Sequence, residues 1–245
     1  MISLYYKISR SLYLLYNSIT KKQYDESTID KVVDSIKESG CLYIKLVQWI
    51  LSRLYTVSIN PKLQEKIEVF YDQCHEHSND YTKQIFLQEL GYELDSKYKI
   101  IKIVGSGSMG QVYQIQHLQS KKYYALKVLH PNIQTEFNVF YRIFHCISMI
   151  YDIRKYIPVS DFNEFFDGLK IQMDLRNEAN HILEFHDIHD DRLFLIPQVV
   201  QLSKNVLVMT YLESDSKKDI SEYKQNMIFL KLILYNLIGI HYGLS

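Results

Sequence analysis

Proline and glycine are scarce in this chain of 245 residues, four and eight respectively, so few positions can act as linkers or breaks. Cysteine is scarcer: Cys41, Cys74 and Cys146 lie far apart, with no pair at the spacing of a metal site or redox motif. That excludes a disulfide framework and fits a reducing, intracellular compartment. Charge of one sign is also missing, since Lys+Arg and Asp+Glu both number 28. A net charge of zero removes any broad electrostatic case for nucleic acid as a partner. No apolar run reaches the roughly 20 residues needed to cross a bilayer. The longest, 227–243, is interrupted by Lys231 and Asn236 and reads as a buried helix that needs a covering partner.

The remainder is 47% hydrophobic, enough for a substantial core. Residues 1–22 carry Lys7, Arg10, Lys21 and Lys22 with no acid before Asp25, which makes a basic amphipathic segment. A docking helix is the plainer reading; peripheral association with a lipid surface is the alternative. Ile29, Val32, Val33 and Ile36 form one helical stripe, and Leu63, Ile67 and Phe70 a second behind Pro61. From Tyr98 the texture changes to β-branched and aromatic runs at 99–105, 111–117 and 121–130, with Ser120 and Lys121 in a turn. Helical spacing returns over 132–156 and again after Pro158, where Phe162, Phe165, Phe166 and Leu169 share a face and Asp161 and Glu164 suit a capping pair. Two strands are expected at 194–202 and 205–213 around a Ser203–Asn205 turn, and a helix at 219–244. The fold class is α+β: a helical extension over 1–91, a five-stranded antiparallel sheet with helices over 92–214, and the start of a further helical part over 215–245.

Gly105-Ser106-Gly107-Ser108-Met109-Gly110-Gln111-Val112 is a G-x-G-x-x-G-x-V loop. The spacing alone also suits a dinucleotide-binding turn, but there a helix follows the loop, whereas here a strand and a hairpin do. Bare amides at Gly105, Ser106, Gly107, Ser108 and Gly110 could approach phosphate oxygens, with Val112 roofing the base. Ala125-Leu126-Lys127-Val128 places Ala125 and Lys127 on one strand face, where Lys127 could reach the α and β phosphates. Glu178 is the candidate carboxylate to orient it. Met209 would guard the back of an adenine pocket, and Tyr211 lies on the hinge beyond it. Cys74-His75-Glu76-His77 and His186 with His189 invite a metal reading, but neither supplies a closed ligand set; solvated helix ends explain both.

From Gly40 onward the chain resembles the UbiB family of atypical kinase-like proteins, known as ADCK in animals. The resemblance is carried by Lys45-Leu46-Val47-Gln48 followed by Ser52 and Arg53, similar to the K-x-G-Q signature; by 108–112; by Ala125 to Pro131; and by Gln172 to Asn180, which covers the E-x-D motif. It implies a protein-kinase-like N-lobe behind a helical extension, ATP with Mg²⁺ as cofactors, and a role in isoprenoid quinone or other lipid metabolism. By the same resemblance Lys45 and Gln48 cap the site, Asp174 anchors that cap, and Glu178 pairs with Lys127. Val47 replaces a glycine and Gln172 a glutamate; Gly105 and Gly107 stand where alanines are usual. The Asp and Asn that hold Mg²⁺ are expected beyond the helix ending at Ser245, so the chain is expected to be catalytically incomplete, with no metal ligands of its own. A nucleotide-binding or scaffolding pseudokinase and a fragment of a conventional protein kinase are the alternatives.

Overall fold

The computed structural model describes residues 2–21, 25–53, 61–68, 75–150, 159–188 and 195–213. By internal contacts, residues 1–211 form one compact unit and 212–245 a second. The expected helix at 219–244 lies outside the described residues.

The extension begins with α1 (Ile2–Lys21), α2 (Glu26–Glu38), α3 (Cys41–Arg53) and α4 (Pro61–Glu68). The α1 helix buries Ile8, Ser11, Leu15 and Ser18 and turns Tyr6, Arg10, Tyr13 and Tyr16 outward, a one-sided helix docked on α2. Small serines sit at that contact, where the Ser35 and Ser11 hydroxyls meet at 3.1 Å. The α2 helix starts where Asp25 accepts the Thr28 N–H, which supplies one of the first-turn amides with an acceptor. All four residues of its expected stripe are buried. Leu63 is buried as well; Phe70 and the Ile67 side chain lie outside the described residues. Among the described residues no helix is long and apolar enough to cross a membrane.

After α5 (Asn79–Leu90) and α6 (Leu94–Lys97), strands β1 (Tyr98–Ser106), β2 (Gly110–His117) and β3 (Tyr123–Leu129) form a meander. Helices α7 (Ile133–Ile150), α8 (Val159–Gln172) and α9 (Leu175–Ile188) follow, then β4 (Val199–Leu202) and β5 (Val206–Thr210). The sheet is antiparallel throughout in the order β1-β2-β3-β5-β4. Register places Val112, Lys127 and Leu207 in one row and Ala125 beside Met209, so these residues share what we term the front face. Tyr113, Ile115, Leu126, Val128, Val206 and Val208 alternate with them on the back face, where Phe86 of α5 and Leu94 of α6 close a separate core. The larger core joins the front of the sheet to the extension and to α7, α8 and α9. Tyr43 of α3 stacks on Phe140 of α7 at 5.6 Å, and Trp49 meets Phe162 and Phe165 of α8 at 5.2 and 4.7 Å.

Three boundaries differ from the sequence reading. The β1–β2–β3 turns fall as expected, with Lys121 in the left-handed region at φ 59°. Strand β4, however, begins only at Val199, because Pro197 has no N–H to give a ladder. Strand β5 stops at Thr210. Helix α8 already begins at Val159, two residues ahead of Asp161, whose side chain lies outside the described residues.

Candidate nucleotide-binding site

Strands β1 and β2 meet at the glycine-rich loop, and beneath it opens a cleft of about 590 Å³. Gly105, Ser106, Gly107, Ser108, Met109, Gly110, Val104, Val112 and Lys127 line it. A Cβ on Gly105 would meet nothing within 4 Å, and one on Gly107 only the Gly110 carbonyl at 3.9 Å, so both glycines present bare backbone to open space. Gly110 differs. Its Cβ would lie 2.4 Å from the Val128 carbonyl oxygen, so its missing side chain is required by the approach of β3. Val104 and Met109 line the cleft without having been singled out in the sequence; Met109 belongs to the loop, and Val104 directly precedes it on β1.

Lys127 projects from the front face of β3 and donates to the Glu178 carboxylate of α9 at 2.5 Å. Lys127 is 22% exposed at the side chain and Glu178 37%, so solvent screening leaves the pair on the order of 1 kcal/mol of stability. Its worth is geometric: a lysine held in this way keeps its ammonium at the cleft wall. Helix α9 is set for this by its start. Asp174 accepts the Arg176 N–H at 3.0 Å as the N-cap, and the Leu175 N–H donates to the Lys204 carbonyl in the β4–β5 turn. Glu178 then lies one turn in, while Leu175 and Ala179 face the core.

Asp174 also takes the Arg176 guanidinium through both carboxylate oxygens, at 2.6 to 3.1 Å. Those bonds hold its carboxyl below the ordinary carboxylate value. The Lys45 ammonium donates to the side-chain oxygen of Gln172 at the end of α8. Gln172 stands where the resemblance puts a glutamate, and it offers an uncharged oxygen. Lys45 ties α3 to the corner from which α9 starts; among the described residues it does not line the cleft. The Gln48 side chain lies outside the described residues. Val47, where the family carries glycine, is buried in the larger core. Ala125 is buried on the front face beside half-buried Met209, and the Tyr211 N–H reaches the Tyr123 carbonyl at 3.5 Å just past β5.

A cluster behind the loop was not assembled by the sequence reading. The rings of His77 and His130 meet at 2.9 Å between their Nδ1 atoms, and His130 Nε2 reaches the Gly107 carbonyl at 2.8 Å. Strand alternation from Lys127 does put His130 on the back face, a signal present in the sequence. His77 is not the solvated helix end expected from the sequence: it is half-buried in the stretch before α5 and bonds Thr82 and His130. Cys74 and His189 lie outside the described residues, and His186 meets the Pro197 carbonyl. Among the described residues no group of three His, Cys, Asp or Glu could hold a metal ion.

A five-stranded antiparallel sheet with a glycine-rich lid, a strand lysine and a helix glutamate paired to it defines a protein-kinase-like N-lobe. The chain belongs to the ABC1 atypical kinase-like domain family, whose model matches residues 69–242. It is similar to the probable protein kinase UbiB of Aliivibrio fischeri, at 24% identity over 87% of this chain and 41% of that protein. It is also similar to the AarF domain-containing protein kinase 1 of Xenopus laevis, at 26% over 80% of this chain and 38% of that protein. A third relative is the probable serine/threonine-protein kinase abkC of Dictyostelium discoideum, at 26% over 74% and 27%. The chain spans about two fifths or less of the length of these curated relatives.

Proposed function

We propose that this chain binds ATP in the cleft beneath the glycine-rich loop, as the nucleotide-holding lobe of a UbiB-like atypical kinase. The observation that carries the reading is the Lys127–Glu178 pair at the wall of a glycine-lined cleft. An ammonium held by a carboxylate from a neighbouring helix is what orients a phosphate-binding lysine in kinase chemistry. The open space over Gly105 and Gly107 lets phosphate oxygens come within reach of loop amides. Val112 and Ala125 share the front face with Lys127 and would cover one side of the base.

Mg²⁺ would supply charge neutralisation between phosphates. No stretch of the 245 residues matches the kinase catalytic loop or the metal-binding Asp, so we assign these residues nucleotide binding with little turnover of their own. The family resemblance connects the reading to isoprenoid quinone or other lipid metabolism.

The test is binding of a non-hydrolysable ATP analogue to purified protein, with and without Mg²⁺, beside Lys127→Ala. The expected result is saturable binding by the wild type and at least a tenfold loss in the variant, the scale of one charge-assisted contact. A folded wild type that takes up no analogue refutes the reading.

A further inference from the structure

We propose that His77 and His130 position the glycine-rich loop so that the Ser108 N–H faces the cleft and donates to a nucleotide phosphate. The inference rests on the nucleotide reading above and assigns roles to residues outside the cleft itself.

Hydrogen-bond direction along the cluster follows from chemistry. A carbonyl only accepts, so His130 Nε2 must carry the proton that meets the Gly107 oxygen. In the neutral ring His130 Nδ1 is then an acceptor, and His77 Nδ1 donates to it. His77 Nε2 is left to accept, which it does from the Thr82 hydroxyl at 3.0 Å. Thr82 in turn accepts from the Tyr113 hydroxyl at 2.7 Å, and Tyr113 accepts from the Gln111 side-chain amide at 2.9 Å. The chain closes on itself, because the Gln111 side-chain oxygen accepts the His77 backbone N–H at 2.8 Å. Each ring nitrogen and hydroxyl of the chain thereby has an assigned role, and such a network holds its members in place. Burial depresses the pKa of both rings, that of His77 to about 4, which keeps them neutral near pH 7.

All of this lies on the back face of the sheet, with Tyr113 and α5, whereas Val112 and Lys127 line the cleft from the front. The anchor therefore draws the Gly107 carbonyl backward. In a trans peptide the carbonyl and the following N–H point to opposite sides, so the Ser108 N–H turns forward. Among the described residues that N–H has no acceptor. A backbone donor turned toward a glycine-lined cleft is suited to a phosphate oxygen.

The test has two parts, both on the full chain. In ¹⁵N-histidine spectra of the ligand-free protein at pH 7, His130 should be the Nε2–H tautomer and His77 the Nδ1–H tautomer. For AMP-PNP with Mg²⁺, His130→Leu should weaken binding about tenfold. His130→Gln, whose amide can still donate to Gly107 and accept from His77, should stay within about twofold of wild type. Opposite tautomers overturn the inference, as does a folded His130→Leu protein with wild-type affinity or a glutamine variant no better than leucine. If His130→Leu does not fold, the tautomers and the glutamine variant still decide. The expected tautomers in a wild type that binds no AMP-PNP refute the nucleotide reading, and with it the phosphate role of Ser108.

Discussion

Gly107 and Gly110 stand three residues apart and serve different ends. Gly107 has room for a side chain, and its carbonyl is held from behind; Gly110 has no room, with the Val128 carbonyl oxygen 2.4 Å from where a Cβ would lie. Gly110→Ala should therefore cost about 1–3 kcal/mol of stability through forced separation of β2 and β3. Gly105→Ala, which meets nothing within 4 Å, should melt within a degree or two of wild type. Thermal unfolding of the two variants checks this, and equal melting temperatures would refute the packing role. The residues that pair in the site were legible to different degrees. Lys127 and Glu178 could be read because each sits in a recognisable stretch. The partnership of His77 with His130 spans 53 residues, and nothing local to either histidine names the other. The same holds for Lys45 and Gln172, 127 residues apart.

Between elements, the junction of α2, α3 and α7 carries a titratable contact. Gly40 adopts φ +102° between α2 and α3, and a Cβ there would come within 2.9 Å of the Glu136 carboxylate of α7. Burial pushes Glu136 up to about 7, against a backbone hydrogen bond from Leu42 that pulls the other way. Between its ordinary value of 4.5 and about 7, the folded chain keeps a proton that the unfolded chain has released. This residue's contribution to stability is thus fully present below pH 4.5 and is lost as pH rises through 7. Glu136→Gln keeps an acceptor for Leu42 without a charge. It should melt close to wild type at pH 5 and several degrees above it at pH 8. A difference that is the same at both pH values would show that Glu136 stays ionised. Element positions were largely readable from periodicity, as the α2 stripe and the α8 phenylalanine face show. Their ends were less so, because β4 is cut short by Pro197 and α8 starts ahead of its acidic pair.

In the first unit as a whole, the extension is part of the core and not an appendage. Residues from α1, α2 and α3 share one apolar cluster with α7, α8, α9 and the front of the sheet, while α5 and α6 close the back. A chain beginning at residue 69 should uncover Phe140, Phe144 and Phe162, bind a hydrophobic dye and lose cooperative melting. Sharp melting of that piece, without dye binding, would make the extension an independent module. The sequence marked residues 1–91 as a separate helical region because their periodicity differs. Periodicity reports which face of a helix is apolar but is silent on what covers it, so the shared core was not visible there.

Glu178 lies 51 residues after Lys127, and α9 is pinned at its start by the carbonyl of Lys204, later still in the chain. During synthesis the lid and its lysine therefore leave the ribosome well before the residues that orient them. The β1–β2–β3 meander can close early from local contacts, but the ammonium waits, without its carboxylate, for the last hairpin of the sheet.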